Sequence, residues 1–184
     1  MPGFLNAFKS DESLMQAYQN GDARAFEIVY ARHKDALFNF LYRSVRHLQQ
    51  VEDLAQDIWM SIIHSIESYE AAASFKTYLY RIARNRLVDH WRRESHRQTD
   101  SLDENHDSLP PAAHGNPEAH ARLGEVLHAI AELPQAQAEA LLLAEEGFSR
   151  IEIAAITDTN PETVKSRLRY ARNALQHLEQ DHER

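Results

Sequence analysis

The stretch that most constrains the fold is residues 74–97, with the sequence SFKTYLYRIARNRLVDHWRRESHR. Apolar residues recur in it at intervals of three and four, which is the period of one face of an α-helix. The pattern predicts one long amphipathic helix, and Ser74 stands where an N-cap side chain would bond the first turn. The predicted buried face consists of Phe75, Leu79, Ile82, Ala83 and Leu87.

The same helix is basic although the protein is acidic. It contains seven Lys and Arg against one Asp and one Glu, a net charge of +5, whereas the whole chain of 184 residues has a formal net charge of −8. Aromatic residues stand among the cations, and they can either stack on bases or fill a core. The helix is compatible with nucleic-acid binding and also with an ordinary solvated face. The overall charge indicates that any such binding is assisted by a larger basic partner.

Composition narrows the fold class. The chain has five glycines and few runs of alternating β-branched residues, which favours an all-α fold. It has no cysteine, so neither disulfides nor thiolate metal sites are available, in keeping with a reducing compartment. No apolar run approaches the roughly 20 residues that cross a bilayer, and the N-terminus lacks the features of a signal peptide. We expect a cytoplasmic protein that does not insert into a membrane.

A change of composition divides the chain into two predicted domains. Helical patterns fill residues 1–97, whereas residues 98–116 contain Asp, Glu and Pro but no Lys or Arg, which is typical of a flexible acidic linker. Helical patterns resume over residues 117–184. We therefore predict two small helical domains joined by this linker.

One helix of the first domain, predicted over residues 48–67, has a polar and mostly acidic face opposite its apolar stripe. Such a cluster is either a solvated helix face or a docking surface for a basic partner. Its members are Glu52, Asp53, Gln56 and Asp57.

Cap residues mark where other helices begin and end. Ser10 is placed to begin a first short helix, and Asn20-Gly21 is placed to end it. In the second domain, Asn116-Pro117 is a strong helix start. The apolar stripe predicted for that helix is Leu123, Val126, Leu127 and Ile130.

A helix-turn-helix is the strongest local signal of the second domain. Ser149 and Glu152 form a capping box for a short helix. After a tight turn, Asn160 caps a longer helix and Pro161 occupies its first position. Two capped helices separated by such a turn are typical of a DNA-binding helix-turn-helix, so we predict a four-helix unit of this kind.

The last helix has a basic outer face. With Val164 at the centre of the buried face, a step of about 100° per residue places four side chains directly outward: Glu162, Ser166, Arg169 and Asn173. These are flanked by Thr163, Lys165, Arg167, Tyr170 and Arg172. Arginine can bond guanine edges bidentately, while lysine and threonine suit phosphates. The pattern favours DNA binding over a helical hairpin with a merely solvated basic face.

Taken together, four segments resemble sigma factors of bacterial RNA polymerase, in the extracytoplasmic-function (ECF) subfamily of the sigma-70 family. They are VEDLAQDIW, SFKTYLYRIARNRLVDHWRR, the pair Leu133-Pro134, and EGFSRIEIAAI followed by TVKSRLRYAR. Each segment alone is a weak signal. Their order across two domains and a linker is specific to the family, and the resemblance covers nearly the whole chain.

The resemblance implies a role for each part of the first domain. Residues that match the segment docking on the β′ clamp helices of core RNA polymerase are Asp53, Leu54, Gln56 and Asp57. The loop over residues 68–73 and the start of the next helix match the part that holds a flipped non-template base. Residues in the positions for −10 recognition and melting are Ser74, Phe75, Lys76, Tyr78, Arg81, Asn85, Arg86 and Asp89.

The resemblance likewise implies that the second domain contacts the β flap and reads the −35 element of promoter DNA. The residues in the matching positions are Glu162, Thr163, Lys165, Ser166, Arg167, Arg169 and Arg172. Many relatives have Gly where this chain has Glu162, and a carboxylate there would repel phosphate but could accept from cytosine N4. The family's usual regulator is an anti-sigma factor, which makes such a protein an expected partner.

Two other readings remain open from the residues alone. A stand-alone helix-turn-helix transcriptional regulator, with the N-terminal helices as a dimerisation or sensing domain, would explain the second domain but not the basic aromatic helix. An enzyme is disfavoured: the eleven histidines lack the His-x-x-x-His ligand spacing of zinc hydrolases, and the chain has no phosphate-cradling Gly-rich loop and no nucleophile elbow. We expect no catalytic residue, no metal and no cofactor.

Overall fold

The computed structural model describes residues 9–97 and 117–182, with side chains described over 9–95 and 124–176. Over these ranges the chain forms eight α-helices and one 3-10 turn, without a strand. The prediction of an all-α fold is confirmed. The predicted linker, residues 98–116, lies outside the described residues.

The helices of the first half are α1 (Asp11–Gln19), α2 (Ala23–Val45), α3 (Leu48–His64) and α4 (Phe75–Arg97), with a 3-10 turn over Ile66–Ser68. Those of the second half are α5 (Pro117–Ala131), α6 (Gln135–Glu145), α7 (Arg150–Ile156) and α8 (Pro161–His182). The helix predicted over 48–67 ends three residues earlier, at His64, because its last turn tightens into the 3-10 turn.

The described residues divide into two compact units. Those up to Leu41 and those from Gln49 to Arg97 form the first, whereas Tyr42–Leu48 and those from Pro117 onward form the second. Within the part of the chain that the structure describes, no helix combines the length with the apolar character that a membrane crossing needs.

Local signals define the ends of α1 as predicted. The Oγ of Ser10 accepts a hydrogen bond from the N–H of Ser13 at 3.2 Å, which satisfies one of the free donors of the first turn. The helix ends at Gln19 with Asn20 as its C-cap, and Gly21 follows with a φ of +98°, a left-handed conformation that glycine adopts without steric cost.

The long basic helix α4 is held in the first unit by its apolar face. Phe75, Leu79, Ala83 and Leu87 are buried as predicted, while Ile82 is half-buried. Tyr80 is also fully buried, and its ring packs against that of Phe40 with the centroids 5.0 Å apart. The remaining core comes from the apolar faces of α1, α2 and α3.

In the second unit α6 is a largely enclosed helix. Five consecutive residues, Glu139 to Leu143, are buried, and the helix packs against α8. The prediction for α5 is partly wrong: Leu127 and Ile130 are buried, but Val126 is 49% exposed. Leu127 and Ile130 lie one turn apart and point inward, and a step of about 100° turns Val126 away from them. Leu123 lies among the residues whose side chains are not described.

Candidate nucleic-acid and docking interfaces

The helix-turn-helix is built as its cap residues predict. Both halves of the capping box form, because Oε2 of Glu152 accepts from the N–H of Ser149 at 2.8 Å while Oγ of Ser149 accepts from the N–H of Glu152 at 3.3 Å. In the turn, Asp158 has a φ of 52°. Oδ1 of Asn160 then accepts from the N–H of Thr163 at 2.8 Å, which caps α8.

The buried side of α8 fixes its outer face. Val164, Leu168 and Ala171 are buried against the other helices of the unit. Because a helix repeats every 3.6 residues, the side chains between them point outward. The predicted −35 set is accordingly on the surface: Glu162, Lys165, Ser166, Arg169 and Arg172 are exposed, and Thr163 and Arg167 are half-buried.

Two contacts orient the charges on this face. Nζ of Lys165 lies 3.1 Å from Oε2 of Glu162, so the carboxylate partly neutralises the lysine. The guanidinium of Arg169 lies over the ring of Tyr170, 5.0 Å from its centroid, which is a cation–π geometry. Arg169 thus has a preferred side-chain direction while its face of the helix stays open to solvent.

The predicted −10 residues divide by their exposure. Ser74, Arg81, Asn85 and Asp89 are exposed, whereas Lys76, Tyr78 and Arg86 are half-buried. The side chain of Phe75, which the resemblance places at the −10 element, is fully buried. Its ring packs against that of His33, with the centroids 5.3 Å apart, because the apolar face of α4 begins at this residue.

Arg86 has a partner inside the protein. Its Nη2 donates to Oγ of Ser61 on α3 at 2.7 Å, and that hydroxyl donates in turn to the backbone carbonyl of Asp57 at 2.7 Å. A single hydroxyl can accept one bond and donate another in this way. The guanidinium therefore contributes to the packing of α3 and α4, a role that helical spacing does not reveal.

The acidic face of α3 lies beside the end of α4. Asp53, Gln56 and Asp57 are exposed, and the side-chain amide of Gln49 donates to Oδ1 of Asp53 at 3.3 Å. Leu54, which the resemblance places among the docking residues, is only 5% exposed and belongs to the core beneath this face. One cleft joins the two helices and is lined by Gln50, Asp53, Leu54, Asp57, His90, Arg93 and Glu94.

The loop between α3 and α4 is held by α1, which the sequence did not indicate. Oε1 of Glu12 accepts from the backbone N–H of Phe75 at 2.8 Å, at the free N-terminus of α4. This bond is the main cause that lowers the pKa of Glu12 below its ordinary value of 4.5. The side-chain amide of Gln19 lies 3.0 Å from the carbonyl oxygen of Ile66 and 3.1 Å from that of Glu67.

A charge cluster anchors the start of α1 to α2. Oδ1 of Asp11 lies 2.5 Å from Nη1 of Arg32, and Oδ2 lies 2.7 Å from Nε2 of His33. Burial raises the pKa of Asp11, but the hydrogen bonds and charges of these two partners together lower it by more. The pKa of Asp11 therefore lies below its ordinary value of 3.8. In the described part of the chain, no three His, Asp or Glu side chains are grouped so as to hold a metal ion.

The sequence matches two family models, Sigma-70 region 2 over residues 29–97 and Sigma-70, region 4 over residues 123–175. It is 32% identical over 178 residues to the ECF RNA polymerase sigma-E factor of Escherichia coli K12, covering 90% of this chain and 92% of that protein. It is 30% identical over 178 residues to the sigma-E factor of Haemophilus influenzae, covering 91% and 94%.

Among solved structures, the chain is similar to the sigma factor RpoE of Bartonella quintana, which was crystallised with the anti-sigma factor NepR. The TM-score is 0.75 at 28% sequence identity, covering 86% of this chain and 98% of that one.

These similarities define the class of protein: the chain belongs to the sigma-70 family. Within that family it is an ECF sigma factor, the kind of transcription-initiation factor that binds core RNA polymerase and confers promoter recognition on it. Since both halves match sigma-factor regions in order, the stand-alone regulator is not favoured.

Proposed function

We propose that the chain docks on core RNA polymerase through the acidic face of α3, with Asp53, Gln56 and Asp57 as contacts. Exposed carboxylates form charge-assisted hydrogen bonds to Arg and Lys of a basic partner. The observation that carries this assignment is the shared cleft: Asp53 and Asp57 line it from α3, while His90 and Arg93 line it from α4. Docking at this face would bring α4 to the polymerase surface on which promoter DNA lies.

In this proposal, α4 and the loop before it recognise and melt the −10 element. Arg81 and Asn85 are exposed on α4 one turn apart, so both can reach the same stretch of DNA. Tyr78 is half-buried, with its hydroxyl 2.8 Å from Oγ of Ser65, which leaves part of its ring for stacking on an unpaired base. Opening the duplex then requires binding energy rather than catalysis, because unstacking a base costs only a few kcal/mol.

In the same proposal, α8 binds the −35 element and the second unit contacts the β flap of the polymerase. Lys165, Arg169 and Arg172 are exposed on one capped helix, and a helix-turn-helix places such a helix in the major groove. The cations would supply phosphate contacts and guanine recognition. A chain with a net charge of −8 needs the polymerase to bring this face to DNA.

Regulation by an anti-sigma factor also forms part of the proposal. The Bartonella quintana relative was crystallised with such a protein, and the present chain is similar to that relative over most of its length. We further propose that the chain acts in the cytoplasm. It acts through binding and not through catalysis, without a cofactor or metal.

Co-elution of the purified chain with core bacterial RNA polymerase on a sizing column, at moderate salt, tests the proposed function. The expected result is a stoichiometric complex that initiates run-off transcription from a selected promoter. Separate elution of the two components would contradict it. Tight duplex binding by the chain alone would contradict it as well, because the proposal makes DNA binding dependent on polymerase.

A further inference from the structure

Side chains of α1 form hydrogen bonds with the backbone between α3 and α4. Within the 3-10 turn the carbonyl of Ile66 accepts from the N–H of Tyr69 at 3.1 Å. The chain then leaves the helical conformation, so the carbonyl groups of Ile66, Glu67 and Tyr69 do not meet the donors of a continuing helix. The amide nitrogen of Gln19 lies 3.0, 3.1 and 3.3 Å from their three oxygens, in that order. Because an amide nitrogen has two hydrogens, at least one of these bonds is shared.

The other end of the loop is attached to the same helix. Oε1 of Glu12 accepts from the N–H of Phe75, where α4 begins. Glu12 and Gln19 are seven positions apart, which places them two turns apart on one face of α1. A single rigid face therefore sets the positions of both ends of the loop.

Two packed aromatic side chains support the loop between these two attachments. Tyr69 is 6% exposed, and its ring lies 5.3 Å from that of Tyr78, centroid to centroid. Burial, followed by the nearby charge of Glu12, raises the pKa of Tyr69 to about 12. The residues that follow it, from Glu70 to Ser74, are all exposed. After Glu70, the loop thus presents four small exposed residues on a fixed support.

We propose that Gln19 and Glu12 are positioning residues for promoter opening, which touch no DNA themselves. They hold the loop in the shape that receives an unstacked base. Because the loop is already ordered, binding of the base does not have to supply the free energy of ordering it. This inference rests on the proposed function of the α3–α4 loop. It adds α1, which carries none of the predicted DNA contacts, to the machinery that opens the duplex.

The test uses holoenzyme reconstituted from the full chain and core polymerase, on a duplex promoter selected from a randomised library by wild-type holoenzyme. Gln19→Ala removes the donors, and Gln19→Glu removes them while keeping the side-chain length. Gln16→Ala is the matched control, because Gln16 is exposed on the same helix one turn away. The readouts are the rate of open-complex formation, co-elution with core polymerase, and initiation from a template whose −10 segment is already unpaired.

Both Gln19 variants are expected to slow opening of the duplex promoter by about tenfold, as a misplaced binding group does, while Gln16→Ala opens it at the wild-type rate. Co-elution should be unchanged, and the pre-opened template should restore initiation. Wild-type opening rates in the Gln19 variants would overturn the inference, and so would an equal loss on both templates, which indicates general damage to the fold. If wild-type holoenzyme itself opens no promoter, that result contradicts the proposed function on which this inference rests.

Discussion

Nη2 of Arg86 lies 2.7 Å from Oγ of Ser61, which places a charged hydrogen bond between α4 and α3. Ser61 also donates to the carbonyl of Asp57, a residue of the proposed docking face. Two consecutive hydrogen bonds thus join the helix proposed to read the −10 element to the helix proposed to dock on polymerase. Arg86, which the family pattern assigns to DNA, is in this structure part of the support for α4.

The first prediction concerns this bond. Arg86→Ala should lower the free energy of unfolding by about 2 kcal/mol, the scale for a hydrogen bond to a charged group. Urea unfolding of Arg86→Ala, Ser61→Ala and the double variant measures the coupling. The Ser61 substitution should cost little once Arg86 is gone. Arg81→Ala, on the exposed side of the same helix, is the control and should change stability by less than about 0.5 kcal/mol. Additive single effects would show that the bond does not stabilise the fold.

The second prediction is a pH dependence at the N-terminus of α4. Because the pKa of Glu12 is lowered in the folded state, its stabilisation is fully present above the unfolded pKa and is lost as the pH falls through the folded pKa. At pH 7, Glu12→Gln should destabilise by about 1 kcal/mol, as loss of a charged cap does. The difference from wild type should shrink as the pH falls below 4.5.

Denaturant unfolding of both proteins across this pH range measures that difference. Asp11 is present in both proteins, and its charge is the smallest of the named influences on the pKa of Glu12, so most of its contribution cancels. Glu27→Gln, at an exposed position of α2, is the control for loss of a surface charge. A difference that stays constant to the lowest pH would mean that the charge of Glu12 contributes nothing.

Features that depend on one or two helical turns could be predicted from the sequence. The capping box of Ser149 with Glu152 and the cap at Asn160 are formed as expected, since all their atoms lie within four residues. Contacts between distant segments could not be predicted. The bond from Glu12 to Phe75 spans 63 positions, and periodicity reveals only that a face is apolar, not what it meets. Leu54 and Phe75, which the family pattern places at interfaces, are both buried; periodicity predicts the burial of Phe75, whereas the family pattern gives no exposure for a single side chain.

The third prediction tests the docking face. Asp53→Arg should abolish co-elution with core polymerase, because it replaces an exposed carboxylate by a cation facing a basic partner, where like charges cost several kcal/mol. Asp35→Arg makes the same change on α2, at a side chain that is 85% exposed, and should co-elute as wild type does. Matching thermal unfolding curves would exclude misfolding. If Asp53→Arg kept full core binding, the docking assignment would be wrong.

The fourth prediction separates two roles on α8. Arg169→Ala should cost about 1–3 kcal/mol on a matched promoter and relax selection at one −35 base, as expected for loss of a bidentate base contact. Lys165→Ala should weaken binding to all sequences alike and reduce the salt dependence by about one phosphate contact. Holoenzyme binding to a panel of −35 variants at several salt concentrations gives both quantities. Neither variant should lose core binding.

The fifth prediction concerns the carboxylate at the N-terminal end of this basic face. Glu162 and Lys165 form an ion pair at 3.1 Å with both side chains largely exposed, so the pair itself adds little stability. In the proposed complex with DNA, however, Glu162 would repel phosphate and compete with it for Lys165. Glu162→Gln should therefore tighten holoenzyme binding to duplexes of any sequence and steepen the salt dependence by about one contact. If the carboxylate also accepts from a cytosine N4, the variant should lose discrimination at that one base pair. Weaker binding to every duplex would contradict both effects, because it would mean that the negative charge itself holds the helix in the groove.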